Sequence, residues 1–138
     1  MRWINDIIVH CTATKAGREV TIKELDNWHR ERGFNGIGYH FVVHLDGSIE
    51  QGRPVTVVGA HCLRHNQFSI GVAYVGGVNA KGENDDTRTP AQKISLINLL
   101  TRLHEKYGAP IHGHCDYAAK DCPCFNAAKE YKFIYNPD

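Results

Sequence analysis

Asp6-Ile7-Ile8-Val9-His10-Cys11-Thr12 is a short β-branched run. Ile and Val suit a pleated surface, and an apolar run without alternation reads as a strand covered on both faces. Its last residues, His10 among them, emerge near the strand end. Beside it, Thr21-Ile22-Lys23-Glu24 has the form of a capping box, and Leu25, Trp28 and His29 follow at helical spacing. That predicts a first helix of about three turns reaching Arg32. Gly38 to His44 reads as a strand, Asp46-Gly47 as a tight hairpin turn, and Ser48-Ile49-Glu50 as the return. Ser69 to Val75 is a further apolar strand, closed by Gly76-Gly77. Thr89-Pro90-Ala91-Gln92 then offers an N-cap, a Pro at the first helical position and a Gln at the third. Ile94, Ile97, Leu100, Leu103, His104 and Tyr107 recur every three or four residues behind it, with Leu96 and Leu99 widening the stripe until Gly108 ends the main helix. Ile111 to His114 is a short strand or loop leading into a Cys-rich turn. The expected fold is mixed α/β: a central mixed β-sheet flanked by helices, in a single domain over residues 1–138.

Composition narrows the class. The chain has 138 residues, 42% apolar and 22% charged, which is the balance of one globular domain. Sixteen Lys and Arg against fifteen Asp and Glu leave a net charge of +1, with no basic run to follow phosphates, so no nucleic-acid partner is expected. Polar residues interrupt the N-terminus, and nowhere do eighteen apolar residues run together, so neither an export signal nor a membrane partner is expected. Nine histidines and five cysteines stand out. An odd cysteine number without an export signal points to reduced thiols, one of them a metal ligand or nucleophile.

His114-Cys115-Asp116-Tyr117-Ala118-Ala119-Lys120-Asp121-Cys122-Pro123-Cys124-Phe125 is the segment richest in such chemistry. Imidazole and thiolate are the ligands of zinc. Cys122 and Cys124 are closer together than a structural zinc pair, and no second pair exists, so three ligands with an open position fit better than a closed site. His10, at the end of a rigid strand, is the best outside ligand. His112 shares a face with His114 if both lie in a strand and could displace either His114 or His10, so spacing alone does not settle the triad. His104-Glu105 begins like an H-E-x-x-H zinc helix, but Gly108 stands where the second histidine belongs. A Cys–His hydrolase, with Cys122 or Cys11 as nucleophile and His114 or His10 as base, is a competing arrangement. Cys11, next to His10 on the alternate strand face, reads as buried and inert. Trp28 and the helix stripe read as core, and His40 and His44 receive no role.

Val9-His10-Cys11-Thr12-Ala13-Thr14, Trp28-His29, Gly36-Ile37-Gly38-Tyr39-His40-Phe41, Asp46-Gly47, Gly59-Ala60-His61, Asn66, Ser69-Ile70-Gly71-Val72, Val75-Gly76-Gly77, Thr89-Pro90-Ala91-Gln92 and Gly113-His114 with Lys120-Asp121-Cys122-Pro123 occur in that order. From about Ile7 to Phe125 the chain resembles the type-2, zinc-dependent N-acetylmuramoyl-L-alanine amidases, which share a fold with peptidoglycan-recognition proteins. The resemblance implies one Zn²⁺ per chain on His10, His114 and Cys122, and catalytic roles for Tyr39 and Lys120. It also implies substrate contacts from His61 and, more weakly, Asn66; the competing reading is a loop that caps its own backbone. The implied reaction is hydrolysis of the amide between muramic acid and L-alanine in peptidoglycan. Relatives that only bind peptidoglycan typically lack the Cys ligand, so Cys122 favours an enzyme over a non-catalytic binding module. A monomeric phage or prophage lysin is expected, made in the cytoplasm and reaching the wall through a separate pore; a cytoplasmic recycling amidase is the competing account.

Overall fold

The structure, a computed structural model, describes residues 2–136. Its strands in chain order are β1 (Asp6–Cys11), β2 (Thr14–Lys15), β3 (Phe41–Val43), β4 (Ile49–Gln51), β5 (Ser69–Tyr74), β6 (Gly77–Val78) and β7 (Ile111–Gly113). Its helices are α1 (Ile22–Glu31), α2 (Pro90–Tyr107), α3 (Ala127–Glu130) and α4 (Lys132–Tyr135), with a single 3₁₀ turn at His114–Asp116. Five strands form one sheet in the order β4-β3-β5-β1-β7. β5 and β7 flank β1 in parallel, β3 is parallel to β5, and only the hairpin strand β4 is antiparallel. β2 and β6 make a small separate parallel pair. This is the mixed sheet that the sequence predicts.

Every residue of β1 and β5 is buried, as the unbroken apolar runs require. Alternation divides them between two layers. Ile7, Val9 and Cys11 join Ile70, Val72 and Tyr74 in a core closed by Leu96, Leu99, Leu100 and Leu103 of α2. On the other face Val42 and Val75 meet Val20 and Leu25 at α1, together with Ile37. His10 belongs to this second face, near the carboxyl end of β1. In open α/β sheets that end is where ligands bind.

Both predicted capping boxes form, at Thr21 with Glu24 and at Thr89 with Gln92. Gln92 does more than cap. Its Oε1 accepts from Thr89 N at 2.9 Å, while its Nε2 donates to the Val43 and Val75 carbonyls at 3.2 and 3.0 Å. That buried amide fixes the rotation of α2, and with it corrects the expected stripe. Ile94 and Ile97 are 64% and 39% exposed, and the buried face is Gln92, Leu96, Leu99, Leu100 and Leu103. Beyond Phe125, where the sequence predicts nothing, α3 and α4 pack back through buried Ala127 and Tyr131. Arg88 anchors them: its guanidinium meets Asp86, Glu130 and the Tyr131 hydroxyl and lies 3.4 Å over the Phe125 ring.

Candidate active site

Three side chains from distant parts of the chain converge at the carboxyl end of β1. The ligating atoms of His10, His114 and Cys122 all lie within 4.8 Å of one another, and His10 Nδ1 is 3.9 Å from Cys122 Sγ. His10 is carried by the strand. His114 opens the 3₁₀ turn after β7, a turn tied down by a hydrogen bond from Gly113 N to Asp116 Oδ2 at 2.8 Å. Cys122 sits in the following loop, its sulfur accepting from Cys11 N at 3.2 Å.

Two imidazoles and one thiol are a zinc-type donor set, and three ligands leave a position open. The hydrogen-bond polarity around His10 fits a metal at Nδ1. Its Nε2 lies 2.8 Å from His61 Nδ1, His61 Nε2 lies 3.3 Å from Ser69 Oγ, and Ser69 Oγ lies 2.6 Å from the His65 carbonyl. That carbonyl only accepts, so Ser69 donates to it; Ser69 then accepts from His61 Nε2–H, and His61 Nδ1 accepts from His10 Nε2–H. The chain of donors leaves the proton of His10 on Nε2 and the lone pair on Nδ1, facing Cys122. Outer hydrogen bonds of this kind fix the tautomer and orientation of metal-ligating histidines.

Electrostatics agree. Burial, with the neighbouring His61, His114 and Lys120, holds His10 well below the usual imidazole pKa, and burial followed by Lys120 lowers that of His114. Hydrogen bonding from Cys11 lowers the Cys122 thiol pKa despite its burial, which favours the thiolate. Cys11 shifts the opposite way, pushed up chiefly by its contact with Cys122 and by burial.

Tyr39 reaches the triad from the segment before β3. Its ring lies between those of His10 and His29, at centroid distances of 5.4 and 5.1 Å, and its hydroxyl is 3.5 Å from the Cys11 carbonyl. Burial raises its pKa, so the phenol stays protonated and remains a donor. Lys120 is exposed on the rim of a cavity of about 420 Å³ that also takes in Cys11, Cys122 and Cys124. Tyr39 thus packs beside His10, and Lys120 shares a cavity with Cys122.

Other candidates fall elsewhere. His112 remains on β7, where its Nδ1 meets Asp6 Oδ1 at 2.8 Å and Tyr117 bonds the same carboxylate. β7 ends at Gly113, so the turn re-aims His114 and the two histidines do not share a face. Cys115 is exposed, and Cys124 packs against Cys11. His61 is only 8% exposed, and its Nδ1 lies against His10 Nε2. Asn66 Oδ1 accepts from both His61 N and Cys62 N at 2.8 Å, so it caps the loop that carries His61. The relay through His61 and Ser69 has no spacing signature; only the recurrence of His, Gly and Ser around β5 hints at it.

The N-acetylmuramoyl-L-alanine amidase family model matches residues 1–125. The endolysin of Escherichia phage T7 is 46% identical over 121 residues, covering 87% of this chain and 80% of the relative. Among solved structures, the N-acetylmuramoyl-L-alanine amidase LysC from Clostridium intestinale URNW superposes with a TM-score of 0.81 at 33% identity, over 96% of this chain and 84% of that one. A peptidoglycan-recognition protein LE in complex with tracheal cytotoxin, a monomeric diaminopimelic acid-type peptidoglycan, gives a TM-score of 0.74 at 25% identity, over 97% and 80%.

Proposed function

The chain belongs to the N-acetylmuramoyl-L-alanine amidase family and is a peptidoglycan amide hydrolase of the phage-lysin kind; from that premise we propose that His10, His114 and Cys122 hold one zinc ion per chain. The convergence of these three ligands, with the His10 proton held on Nε2, carries the reading. When bound, the metal supplies Lewis acidity, which acidifies water and polarises a carbonyl. The protein does the rest. His61 and Ser69 hold the His10 ring in its ligating tautomer. Tyr39 Oη and the Lys120 ammonium donate hydrogen bonds and positive charge where the scissile carbonyl oxygen becomes negative. One of them passes a proton to the leaving L-alanine nitrogen.

The substrate is peptidoglycan, the polymer from which the ligand of the similar recognition protein derives. The chain acts as one catalytic domain and a monomer. No helix among the described residues is long and apolar enough to cross a membrane. Cytoplasmic synthesis followed by passage through a separate pore is the route we propose to the wall, where related endolysins act. The test is amine release from purified sacculi by zinc-loaded protein. Free amino groups without new reducing sugar ends, abolished by a chelator and by Cys122→Ala, are the expected outcome; chelator-insensitive wall binding without amine release would leave a binding module. Inactivation by a thiol alkylator while zinc stays bound would instead support the Cys–His hydrolase.

A further inference from the structure

Two thiols beside the triad are neither ligands nor proton donors in this mechanism. Cys11 Sγ and Cys124 Sγ lie 4.0 Å apart, in contact, although 113 positions separate them in sequence. Cys11 is buried at the end of β1, whereas Cys124 is half-buried, and both line the 420 Å³ cavity beside Lys120. Space is reserved for this pair. A Cβ at Gly77 would sit 2.5 Å from Cys11 Sγ, and Cys124 Sγ rests 3.5 Å from the Gly77 carbonyl. Both backbones are held: Cys11 by sheet pairing with Tyr74, and the Cys124 loop by the Tyr74 hydroxyl, which donates to the Pro123 carbonyl at 2.7 Å.

We propose that Cys11 and Cys124 form a dithiol modification site, which a peroxide-class oxidant converts to a disulfide while Cys122 remains free for the metal. Cys124, the more accessible thiol, reacts first: its sulfur attacks one peroxide oxygen, the O–O bond breaks, and a sulfenic acid and water result. The Cys11 sulfur then displaces the sulfenic oxygen as a second water, so two thiols lose two electrons and two protons to one peroxide. The product ties β1, just past His10, to the loop that carries Cys122. A crosslink over so long a loop restricts the unfolded chain strongly. The same thiols stay reduced in a glutathione-rich compartment and close in an oxidising one.

The proposal goes beyond the amidase reading and stands without it. Zinc-loaded full-length protein is treated with hydrogen peroxide, alkylated under denaturing conditions and digested without reductant. One crosslinked peptide pair containing Cys11 and Cys124 is expected, with Cys122 alkylated as a free thiol and zinc still bound. The melting temperature of the oxidised form should rise by roughly 5 °C or more and return on reduction. Cys124→Ser should remove both the crosslink and the reversible shift. A crosslink through Cys122, zinc release, or full alkylation of all five thiols after peroxide would overturn it; the mapping uses the unaltered chain, so it decides even if the variant misfolds.

Discussion

Gly71→Ala probes the support behind the metal ligand. Gly71 lies in β5 opposite Ile8, and a Cβ there would stand 2.6, 2.7 and 2.8 Å from His61 Cγ, Cδ2 and Nδ1. Ordinary carbon contacts begin near ~3.5 Å, so the overlap is on the order of 0.8 Å. His61 is held at both ring nitrogens, by His10 and by Ser69, and its ring meets that of His10 edge-on at a centroid distance of 4.8 Å. The imidazole must rotate and give up the 2.8 Å bond to His10 Nε2. Overpacking of this kind costs about 1–3 kcal/mol of stability. Loss of a ligand's outer hydrogen bond typically weakens metal binding by about 10- to 100-fold, or ~1.4–2.7 kcal/mol. Competition against a chromophoric chelator measures the second quantity, and urea unfolding of the metal-free protein measures the first. His61→Ala alone should weaken zinc to a similar degree, and the double variant should be no worse than either single one while recovering part of the lost stability. A folded Gly71→Ala protein that binds zinc within twofold of the parent would refute the orienting role of His61.

Three further perturbations examine other parts of the account. Tyr39→Phe should retain stoichiometric zinc while lowering kcat for amine release by about 10²- to 10³-fold with little change in KM; an unchanged kcat would remove the hydroxyl from the chemistry. Arg88→Met leaves Asp86 and Glu130 without their shared cation and strips the Phe125 ring of its cover, and should cost about 3 kcal/mol in urea unfolding. His40 accepts from Gly71 N at 3.0 Å through Nδ1 and donates to the Val57 carbonyl at 2.8 Å, so the fold holds it neutral; burial lowers its pKa to about 4. The unfolded chain, titrating near 6.5, therefore binds the proton more readily, and the contribution of His40 is present above pH 6.5 and fades as pH falls toward 4, by up to ~3 kcal/mol. Metal-free unfolding measured across that range should show a shallower pH slope in His40→Asn than in the parent, and equal slopes would contradict the assignment.

The strand and helix skeleton is legible because each element carries its own local signal. The unbroken β-branched run of β1 and the capping boxes at Thr21 and Thr89 act within a few residues of themselves. The rotation of α2 is not local. Ile94 and Ile97 fit the period as well as Leu96 and Leu99 do, and a buried amide contact from Gln92 to two strand ends decides between them. Which of the candidate ligands converge divides the same way. His10 can be read from its place at the end of a rigid strand, but His114 prevails over His112 only because β7 stops at Gly113. Cys122 prevails over Cys124 because its sulfur faces His10 while that of Cys124 faces Cys11. His61 and Arg88 are harder to read, since the partners His10 and Glu130 lie 51 and 42 positions away.

Zinc K-edge absorption fine structure of the metal-loaded protein tests the central claim most directly. The account predicts one sulfur near ~2.3 Å and imidazole nitrogens near ~2.0 Å, with the sulfur shell lost in Cys122→Ala and kept in Cys124→Ala. A shell with two sulfurs, or with none, would contradict it.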